Sequence, residues 1–287
     1  EIYSLSLHDA LPILEEMYAD LRKIEDAKSD VTVMEVSSEA LLHKRVDNFK
    51  FDVVAFTNIT GDHLNVHGSF ENYVKAKLEL LKLVKDDGFV VVNGDDVNLQ
   101  KIKCHNLYTF GFENDNYFTI KNVHYMSKNV LIDVKYEDKV ITIDSPLKGK
   151  YNVYNVVEAF IIGHLYGVDD SLLVERIKNI SPIKGRCEIL NFSKAYDIVL
   201  DYAHTINGIS NILDTFRDYE QVITVTGAAG GREKEKRPVI GKLVMEKSDI
   251  AIFTMDDPRY ESVDDIIDDM VGDSKDYIRI IDREEAI

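Results

Sequence analysis

Residues 35–77 decide the fold that this sequence predicts. They read EVSSEAL at 35–41, FDVVAFTNI at 51–59 and TGDHLNVHG at 60–68, and end in a helical stretch with Lys77. The apolar, β-branched run at 51–59 is typical of a buried strand. Glu35 lies at the end of one predicted strand, and Asp62 and His63 follow the next, at the ends where parallel α/β sheets build their sites. Because oxygen ligands with one imidazole suit Mg²⁺ or Mn²⁺ holding a nucleotide phosphate, the segment predicts a cytosolic enzyme that uses ATP.

Helix and strand patterns alternate around this segment. They predict helices at 14–29 and 70–86 and strands at 31–36, 52–59 and 89–93. Such alternation is typical of a doubly wound, mostly parallel sheet with helices on its faces. From about 107 to 145, alternating apolar and polar residues predict a small antiparallel subsheet, which two helical stretches follow.

A second α/β unit is predicted after a break at SPIKGRCE, residues 181–188, where Pro182 and Gly185 interrupt the pattern. Its predicted strands are DIVLDY, VITVTG, IAIFTM and YIRII, and its predicted helices cover 207–218, 238–248 and 262–271. We therefore expect an incomplete first domain at 14–185 and a truncated, Rossmann-like domain at 186–287. Residues 1–13 join abruptly to the first helix and are interpreted as a non-native leader.

Composition narrows the class of protein. The 287 residues are 45% hydrophobic and 30% charged, which is typical of a soluble globular protein. A net charge of −17 argues against binding to nucleic-acid phosphates, which requires a basic surface. Cys104 and Cys187 match no metal-binding spacing and predict reduced thiols in a cytoplasmic protein. No apolar run has the roughly 20 residues needed to span a bilayer, so membrane insertion is not expected.

The motifs of the first predicted domain also admit structural explanations. Glu35 can be a solvated acid beside a serine that caps a helix, and His63 can be a structural histidine in a turn. Asn152 and Asn155, at i and i+3 on one helix face, carry amides that can pair with an adenine edge. The alternative is that Asn152 caps the helix.

The motifs of the second predicted domain leave similar choices. Asp201 and His204 suit contacts to a ribose or phosphate, unless Asp201 is a plain helix cap and His204 is structural. The glycines and basic residues of TGAAGGREKEKRP (226–238) suit an anion, or else form a flexible loop before a charged helix. This loop is not a Walker A motif, which occurs nowhere in the chain. In MDDPRYE (255–261), Arg259 suits a carboxylate and the acids an ammonium group, unless the segment is a plain acidic turn.

Taken together and in order, these motifs resemble those of the Mur ligases, most closely the tripeptide synthetase (MurE) type. The resemblance covers about residues 31–267. It rests on EVSSEAL, TNITGDHLNVHG, Ala76 with Lys77, VNGDD, YNVYN, KGRCE, DYAHT, GAAGGREKEKRP and DDPRYE. It implies the family's central ATPase domain, with a doubly wound sheet and a small antiparallel subsheet, followed by part of its Rossmann-like C-terminal domain. It also implies addition of an amino acid to UDP-MurNAc-L-Ala-D-Glu, with ATP and Mg²⁺ as cofactors, through an acyl phosphate, by a cytoplasmic monomer.

The resemblance also implies roles for individual residues. Glu35, His63 and a carbamylated Lys77 would be the catalytic metal ligands. The nucleotide would meet Asn152, Asn155, Arg186, Asp201 and His204. The incoming amino acid would meet Arg232, Asp256, Asp257 and Arg259. The UDP-muramoyl substrate would meet Ser37, Thr57 and Asn58.

Departures from the family pattern keep several possibilities open. Arg259 favours meso-diaminopimelate, which has a second carboxylate, but the family's DNPR is DDPR here, so a lysine-adding enzyme remains an alternative. The family's P-loop, its N-terminal UDP-binding domain and its C-terminal GKGHE segment are not found in the chain. Negligible ligase activity is therefore expected for this polypeptide alone. The motifs also leave room for a folylpolyglutamate-type ligase or for a non-catalytic binding protein derived from a Mur ligase.

Overall fold

The computed structural model describes residues 2–6, 14–60, 64–126, 128–190, 195–231 and 234–287. Two compact units divide the chain, Glu1–Phe110 and Gly111–Ile287, called the first and second unit below. Within the described residues, no helix combines the length and the hydrophobicity needed to cross a membrane.

The first unit alternates strands and helices. Its strands are β1 (Ile2–Ser6), β2 (Val31–Glu35), β3 (Phe51–Phe56), β4 (Val84–Asn93) and β5 (Leu107–Gly111). Its helices are α1 (Leu14–Asp26), α2 (Ser38–Leu42), α3 (Leu64–His67) and α4 (Phe70–Leu78), with a 3₁₀ turn at Glu79–Leu83. β1 pairs with β2, β3 with β4, and β4 with β5, and all three pairings are parallel. The predicted parallel architecture is thus confirmed in this unit.

The core of the first unit explains why β3 and β4 are apolar. Val54 and Phe56 of β3 and Val90 and Val92 of β4 are buried together with Tyr73 of α4. The helix predicted at 70–86 is too long: α4 ends at Leu78, and β4 begins at Val84 rather than at Phe89. Val84 pairs with Phe51, so strand pairing captures residues whose spacing alone suggested a helix.

The second unit begins with an antiparallel ribbon. The strands β6 (Phe118–Tyr125), β7 (Val130–Tyr136) and β8 (Lys139–Ser145) pair in order, as the alternating pattern predicts. Two helices follow, α5 (Lys150–Leu165) and α6 (Asp170–Lys178). A short antiparallel pair comes next, β9 (Glu188–Leu190) with β10 (Ile198–Leu200).

The rest of the second unit is a three-stranded parallel sheet with helices. Its elements are α7 (Ile206–Phe216), β11 (Ile223–Thr226), α8 (Arg237–Lys247), β12 (Ile250–Phe253), α9 (Val263–Val271), β13 (Ile278–Arg279) and α10 (Arg283–Ala286). A short 3₁₀ turn, Lys234–Lys236, precedes α8. The strand order is β11-β12-β13, and a core of buried residues such as Val244, Phe253 and Ile267 joins the helices to the sheet. β10, predicted as the first strand of this alternation, pairs with β9 instead. The mixed α/β class predicted from the sequence is confirmed.

Candidate active site

Two of the predicted residues, Glu35 and Ser37, lie at the end of β2 and in the turn that follows it. Glu35 is the last residue of β2 and is exposed. Ser37 is the N-cap of α2, and its hydroxyl accepts a hydrogen bond from Ala40 N–H at 3.1 Å. The capping alternative is therefore correct for Ser37, and one lone pair of this hydroxyl is already committed to the helix. Its contact to the substrate remains a prediction.

A row of contacting side chains, Ser38, His67 and Tyr73, connects this turn to Lys77. The hydroxyl of buried Ser38 lies 3.0 Å from Nε2 of His67. The His67 ring packs edge-to-face on Tyr73, with 5.4 Å between centroids, and Nζ of Lys77 lies 5.4 Å from the centroid of the Tyr73 ring. This distance suits a cation–π contact. His67 was not assigned from the sequence, where its only signal is the second histidine of TGDHLNVHG.

The predicted metal site is described only in part. His63 lies outside the described residues, as do Gly61 and Asp62. Within the described ranges, no three His, Cys, Asp or Glu residues gather as metal ligands. The donor set itself suits Mg²⁺, because carbamylation would turn the Lys77 amine into an oxygen ligand beside the Glu35 carboxylate. The three ligands therefore remain a prediction.

Three polar side chains hold the turn that carries Thr57 and Asn58. Asn93 Nδ2 donates to the Thr57 carbonyl at 3.0 Å, and Asp96 accepts from Ile59 N–H at 2.6 Å. Asn98 Nδ2 donates to the Ile59 carbonyl at 3.0 Å. The exposed side chains of Thr57 and Asn58 are thus presented on a fixed backbone. The motif VNGDDVN (92–98) supplies these supports, a role that the sequence alone did not reveal.

Asn152 and Asn155 both lie inside helix α5, and neither residue caps it. The N-cap is Gly149, at φ +95°, so the proposal that Asn152 caps the helix is wrong. Asn152 is buried, and its Nδ2 donates to the Lys148 carbonyl at 2.7 Å. Asn155 is exposed and donates to Asn152 Oδ1 at 3.4 Å. Asn155 is therefore the amide of this pair that solvent and ligands can reach.

Asp201 brings Arg186 and His204 to the same place. Its carboxylate accepts from Cys187 N–H at 2.7 Å and from Ala203 N–H at 2.8 Å. The Arg186 guanidinium carbon lies 4.8 Å from the centroid of the Tyr202 ring, and the His204 ring packs edge-to-face on Tyr202 at 5.3 Å between centroids. Asp201 is not the cap of α7, since Thr205 is, so the plain-cap alternative is wrong. The structure joins these three predicted residues around the Tyr202 ring, with Arg186 and His204 exposed and Asp201 partly buried.

The first turn of α5 lies beside this surface. The Tyr151 hydroxyl is buried, and burial, together with the neighbouring Cys187 and Asp201, raises the pKa of Tyr151 above its usual range. Tyr151 therefore stays neutral and places the start of α5 next to the turn that carries Arg186. The residues predicted to meet a nucleotide are thus neighbours within the second unit.

The glycine-rich loop packs backbone to backbone on the DDPR turn. Gly230 N–H donates to the Asp257 carbonyl at 2.8 Å. A Cβ at Gly230 would lie 2.0 Å from the Pro258 carbonyl oxygen, and one at Gly227 would lie 2.3 Å from the Thr254 carbonyl oxygen. Only glycine permits such an approach. Arg232 follows this loop but lies outside the described residues.

The DDPR turn exposes its charged side chains. Asp256 and Asp257 are exposed, and Arg259 Nε lies 3.4 Å from Asp257 Oδ2. Arg259 has φ +52°, a conformation that only a minority of non-glycine residues adopt. Such conformations cluster at ligand sites, where the surrounding structure holds them in place.

An ion-pair network around the buried Arg237 side chain joins both loops and was not predicted. The Arg237 side chain is 2% exposed and donates to Glu261 at 2.9 and 3.1 Å, to Asp269 at 2.8 Å and to the Ala229 carbonyl at 3.1 Å. Glu261 also accepts from Gly231 N–H and from Lys234 Nζ, the latter at 2.8 Å. The Arg237 guanidinium, Lys234 and this backbone N–H hold the pKa of Glu261 well below its usual range. Two of the four basic residues assigned to an anion site are thus already paired.

A small cavity of about 70 Å³ lies where these motifs meet. It is lined by His204, residues 227–229, Lys236, Arg237, Ile240 and Asp256, among others. A lysine, a histidine and backbone groups near the start of α8 favour an anionic group there, and Asp256 favours a cationic one. A zwitterion or a carboxylate beside an amine matches this pattern.

We expect Gly230→Ala to disrupt the packing of the two loops. The added methyl would lie 2.0 Å from a backbone oxygen that cannot rotate away, so the loops must separate. The melting temperature of the chain should fall by several degrees, as a penalty of about 1 to 3 kcal/mol implies. Gly167→Ala is the comparison variant. A Cβ at Gly167 meets no atom within 4 Å, so the substitution adds only the backbone strain of its φ of +79° and no steric clash. A melting temperature of Gly230→Ala equal to that of the unsubstituted chain would show that the close approach is not important.

Comparisons with known proteins agree with this architecture. The family model of the Mur ligase middle domain matches residues 11–163, and that of the Mur ligase glutamate ligase domain matches residues 185–287. The UDP-N-acetylmuramoyl-L-alanyl-D-glutamate–2,6-diaminopimelate ligase of Clostridium botulinum is 37% identical over 289 residues, covering 98% of this chain. The enzyme of the same name from Clostridium tetani is 36% identical over 283 residues, covering 95% of it. The chain spans 59% and 57% of the lengths of these two relatives.

Solved structures share the fold at lower identity. A UDP-N-acetylmuramoyl-L-alanyl-D-glutamate–2,6-diaminopimelate ligase superposes with a TM-score of 0.65 at 22% identity, covering 100% of this chain and 69% of that one. The folylpolyglutamate synthase of Mycobacterium tuberculosis, solved with ADP and AMPPCP, superposes with a TM-score of 0.74 at 17% identity, covering 92% and 62%.

The fold and its motifs define a protein of the class in which an α/β middle domain precedes an α/β ligase domain. Both family models match the chain, and together they cover most of it. The chain belongs to the Mur ligase family.

Proposed function

We propose that the chain supplies the middle and glutamate-ligase modules of an ATP-dependent ligase that adds meso-diaminopimelate to UDP-MurNAc-L-Ala-D-Glu. The observation that carries this proposal is the 37% identity, over 98% of the chain, to a relative named for that reaction. The motifs that define the proposed pocket, DYAHT, GAAGGREKEKRP and DDPR, lie within the matched residues.

The proposed reaction activates a carboxylate and then uses an amine as the nucleophile. The carboxylate of the dipeptide takes the terminal phosphoryl group of ATP, releasing ADP and forming an acyl phosphate. The amine of the incoming amino acid attacks the acyl carbon, and the tetrahedral intermediate expels phosphate as the amide forms. The protein contributes mainly position and charge to such a reaction.

Residues of the second unit are proposed to hold ATP and the amino acid. Asn155, Arg186, Asp201 and His204 would contact the nucleotide, and Asn152, which is buried and bound to the Lys148 carbonyl, would support Asn155 from inside α5. Arg232, Asp256, Asp257 and Arg259 would contact the amino acid. Acidic groups near the amine would orient it and accept its proton, while basic groups would hold its carboxylates.

Residues of the first unit are proposed to hold the metal and the sugar nucleotide. Glu35, His63 and carbamylated Lys77 would bind Mg²⁺, which neutralises phosphate charge when bound. The row formed by Ser38, His67 and Tyr73 would fix the position of Lys77. Ser37, Thr57 and Asn58 would contact the UDP-muramoyl substrate.

The identity of the amino acid depends on Arg259. meso-Diaminopimelate carries a second carboxylate that a guanidinium can bind through two hydrogen bonds, and lysine does not. The lysine alternative rests on Asp257, which replaces the family's asparagine and lies beside the Arg259 side chain. Binding of meso-diaminopimelate should therefore depend on the Arg259 guanidinium, whereas binding of lysine should not.

We expect Arg259→Ala to weaken binding of meso-diaminopimelate to the chain by tenfold to a hundredfold. The reason is the loss of a charged hydrogen-bonded pair, which contributes about 1.5 to 3 kcal/mol. Isothermal calorimetry with meso-diaminopimelate, L-lysine and L-glutamate measures this effect. Arg217→Ala, which removes an exposed arginine after α7, is the control.

Tighter binding of L-lysine than of meso-diaminopimelate, unchanged by Arg259→Ala, would support the lysine-adding alternative. Selective binding of L-glutamate together with a folate would support a folylpolyglutamate-type ligase, whose fold this chain shares. Binding of meso-diaminopimelate that is insensitive to Arg259→Ala would contradict the proposed pocket.

A further inference from the structure

We propose that Glu261 is a positioning residue that sets the spacing between the two loops of the amino-acid pocket. This inference rests on the proposed function, because that function defines the pocket. Glu261 lies two residues after Arg259 on the DDPR turn, yet its side chain binds the glycine-rich loop 30 residues earlier in the chain. Glu261 itself does not recognise the amino acid.

Both oxygens of the Glu261 carboxylate are bound by the protein. One oxygen accepts from Gly231 N–H and from Arg237 Nη2, and the other accepts from Arg237 Nη1 and Lys234 Nζ. The side chain of Glu261 is 19% exposed and that of Arg237 is 2% exposed. Glu261 is therefore committed to the protein and is not available to a ligand amine.

The loop that Glu261 holds leads directly to the proposed pocket. Gly231 has φ +67° and is the last described residue before Arg232, which is one of the proposed carboxylate-binding residues. Arg237 holds the same loop at Ala229, whose carbonyl accepts from the guanidinium at 3.1 Å. Glu261 and Arg237 thus fix the loop through one N–H group and one carbonyl group.

The opposite wall of the pocket is the DDPR turn. Gly230 N–H donates to the Asp257 carbonyl, so the glycine-rich loop and the DDPR turn touch directly through the backbone. Thr254 N–H also donates to the Thr226 carbonyl at 2.9 Å, where the two loops leave their strands, so backbone contacts join the loops at that end. Glu261 adds a side-chain support from the same turn that carries Arg259.

Asp269 provides a matched control for the charge on Arg237. Its Oδ2 accepts from Arg237 Nη1 at 2.8 Å, but Asp269 lies on α9, whereas Glu261 also accepts from Gly231 N–H of the glycine-rich loop. Glu261→Gln and Asp269→Asn each neutralise one carboxylate partner of Arg237. Only Glu261→Gln also changes the partner of Gly231, since an amide has one acceptor oxygen where a carboxylate has two.

The experiment compares the wild-type chain with Glu261→Gln, Glu261→Asp and Asp269→Asn. Glu261→Asp keeps the charge beside Arg237 but shortens the side chain by one methylene, so it tests the spacing even if the glutamine variant folds poorly. Hydrogen–deuterium exchange of peptides covering 226–231 and 254–261 reports on the loops, and calorimetry reports the dissociation constant for meso-diaminopimelate.

Both Glu261 variants are expected to raise amide exchange in the two loops at least tenfold and to weaken meso-diaminopimelate binding about tenfold or more, because small displacements of binding groups are costly. Asp269→Asn is expected to leave the loop exchange rates and the dissociation constant within about twofold of the wild-type values, while lowering the melting temperature. Unchanged loop exchange in the Glu261 variants, or equal changes in Asp269→Asn, would overturn the proposal. If the wild-type chain binds no meso-diaminopimelate, the proposed function fails, and the exchange comparison still decides the role of Glu261.

Discussion

Replacing Arg237 by leucine is expected to lower the free energy of unfolding of the second unit by about 3 kcal/mol. The Arg237 side chain is 2% exposed, and its removal leaves Asp269 without this cation, the Ala229 carbonyl without this donor, and Glu261 with only Lys234 and Gly231 N–H of the partners described above. Removing the cation from one side of this network is costly, because the largely buried Glu261 carboxylate loses two charged hydrogen bonds and the Ala229 carbonyl loses its donor. Chemical denaturation followed by circular dichroism measures the change.

Arg279→Leu is the matched control for this prediction. Arg279 also binds two carboxylates, Asp264 and Asp268, but its side chain is 28% exposed and both partners are more than half exposed. Ion pairs of that kind contribute at most about 1 kcal/mol. Equal losses in the two variants would show that burial of Arg237 is not what makes its network important.

The second large effect concerns Glu158, a carboxyl buried inside α5. It is 5% exposed, its Oε1 has no hydrogen-bond partner among the described residues, and burial raises its pKa to about 8. The folded state therefore binds a proton that the unfolded state has lost between about pH 4.5 and pH 8. Over that interval the free energy of unfolding should fall as pH rises, by up to about 1.4 kcal/mol per pH unit, and level off above pH 8.

Glu158→Gln should remove this pH dependence. The variant keeps the shape of the side chain without the titrating group, so it should equal the wild type near pH 4.5 and exceed it by a few kcal/mol at pH 8. Melting temperatures at several pH values measure the difference, with Glu175→Gln on the exposed surface of α6 as the control. A difference between Glu158→Gln and the wild type that is independent of pH would contradict a raised carboxyl pKa.

Much of the fold follows from local pattern. The strands β3 and β11, the ribbon β6 to β8 and the long helices have the spacing of apolar residues that their structures require. The errors occur where partners far along the chain decide the outcome. β4 begins early because Val84 pairs with Phe51, and β10 pairs with β9 rather than with the parallel sheet.

For the candidate site too, the sequence predicted the local features but not the long-range contacts. Sequence motifs located Asn155 on α5 and the turns that carry Asp201 and Arg259, because chemically distinctive residues cluster there. They did not show how those turns are held. Ser37 serves as a cap, and Lys234 and Arg237 are both paired with Glu261, which lies at least 24 residues away. Net charge counted along a segment therefore overestimates the positive charge that a ligand would meet.

The order of residues in the DDPR turn also has an evolutionary consequence. Arg259 displays its charge on the outside of the turn, while Glu261, two positions on, anchors the same turn to its neighbour. Exchange of Arg259 therefore leaves the support of the turn in place. If the turn contacts the amino acid as proposed, a lineage can change the contact at position 259 by single substitutions while each intermediate keeps the two loops joined.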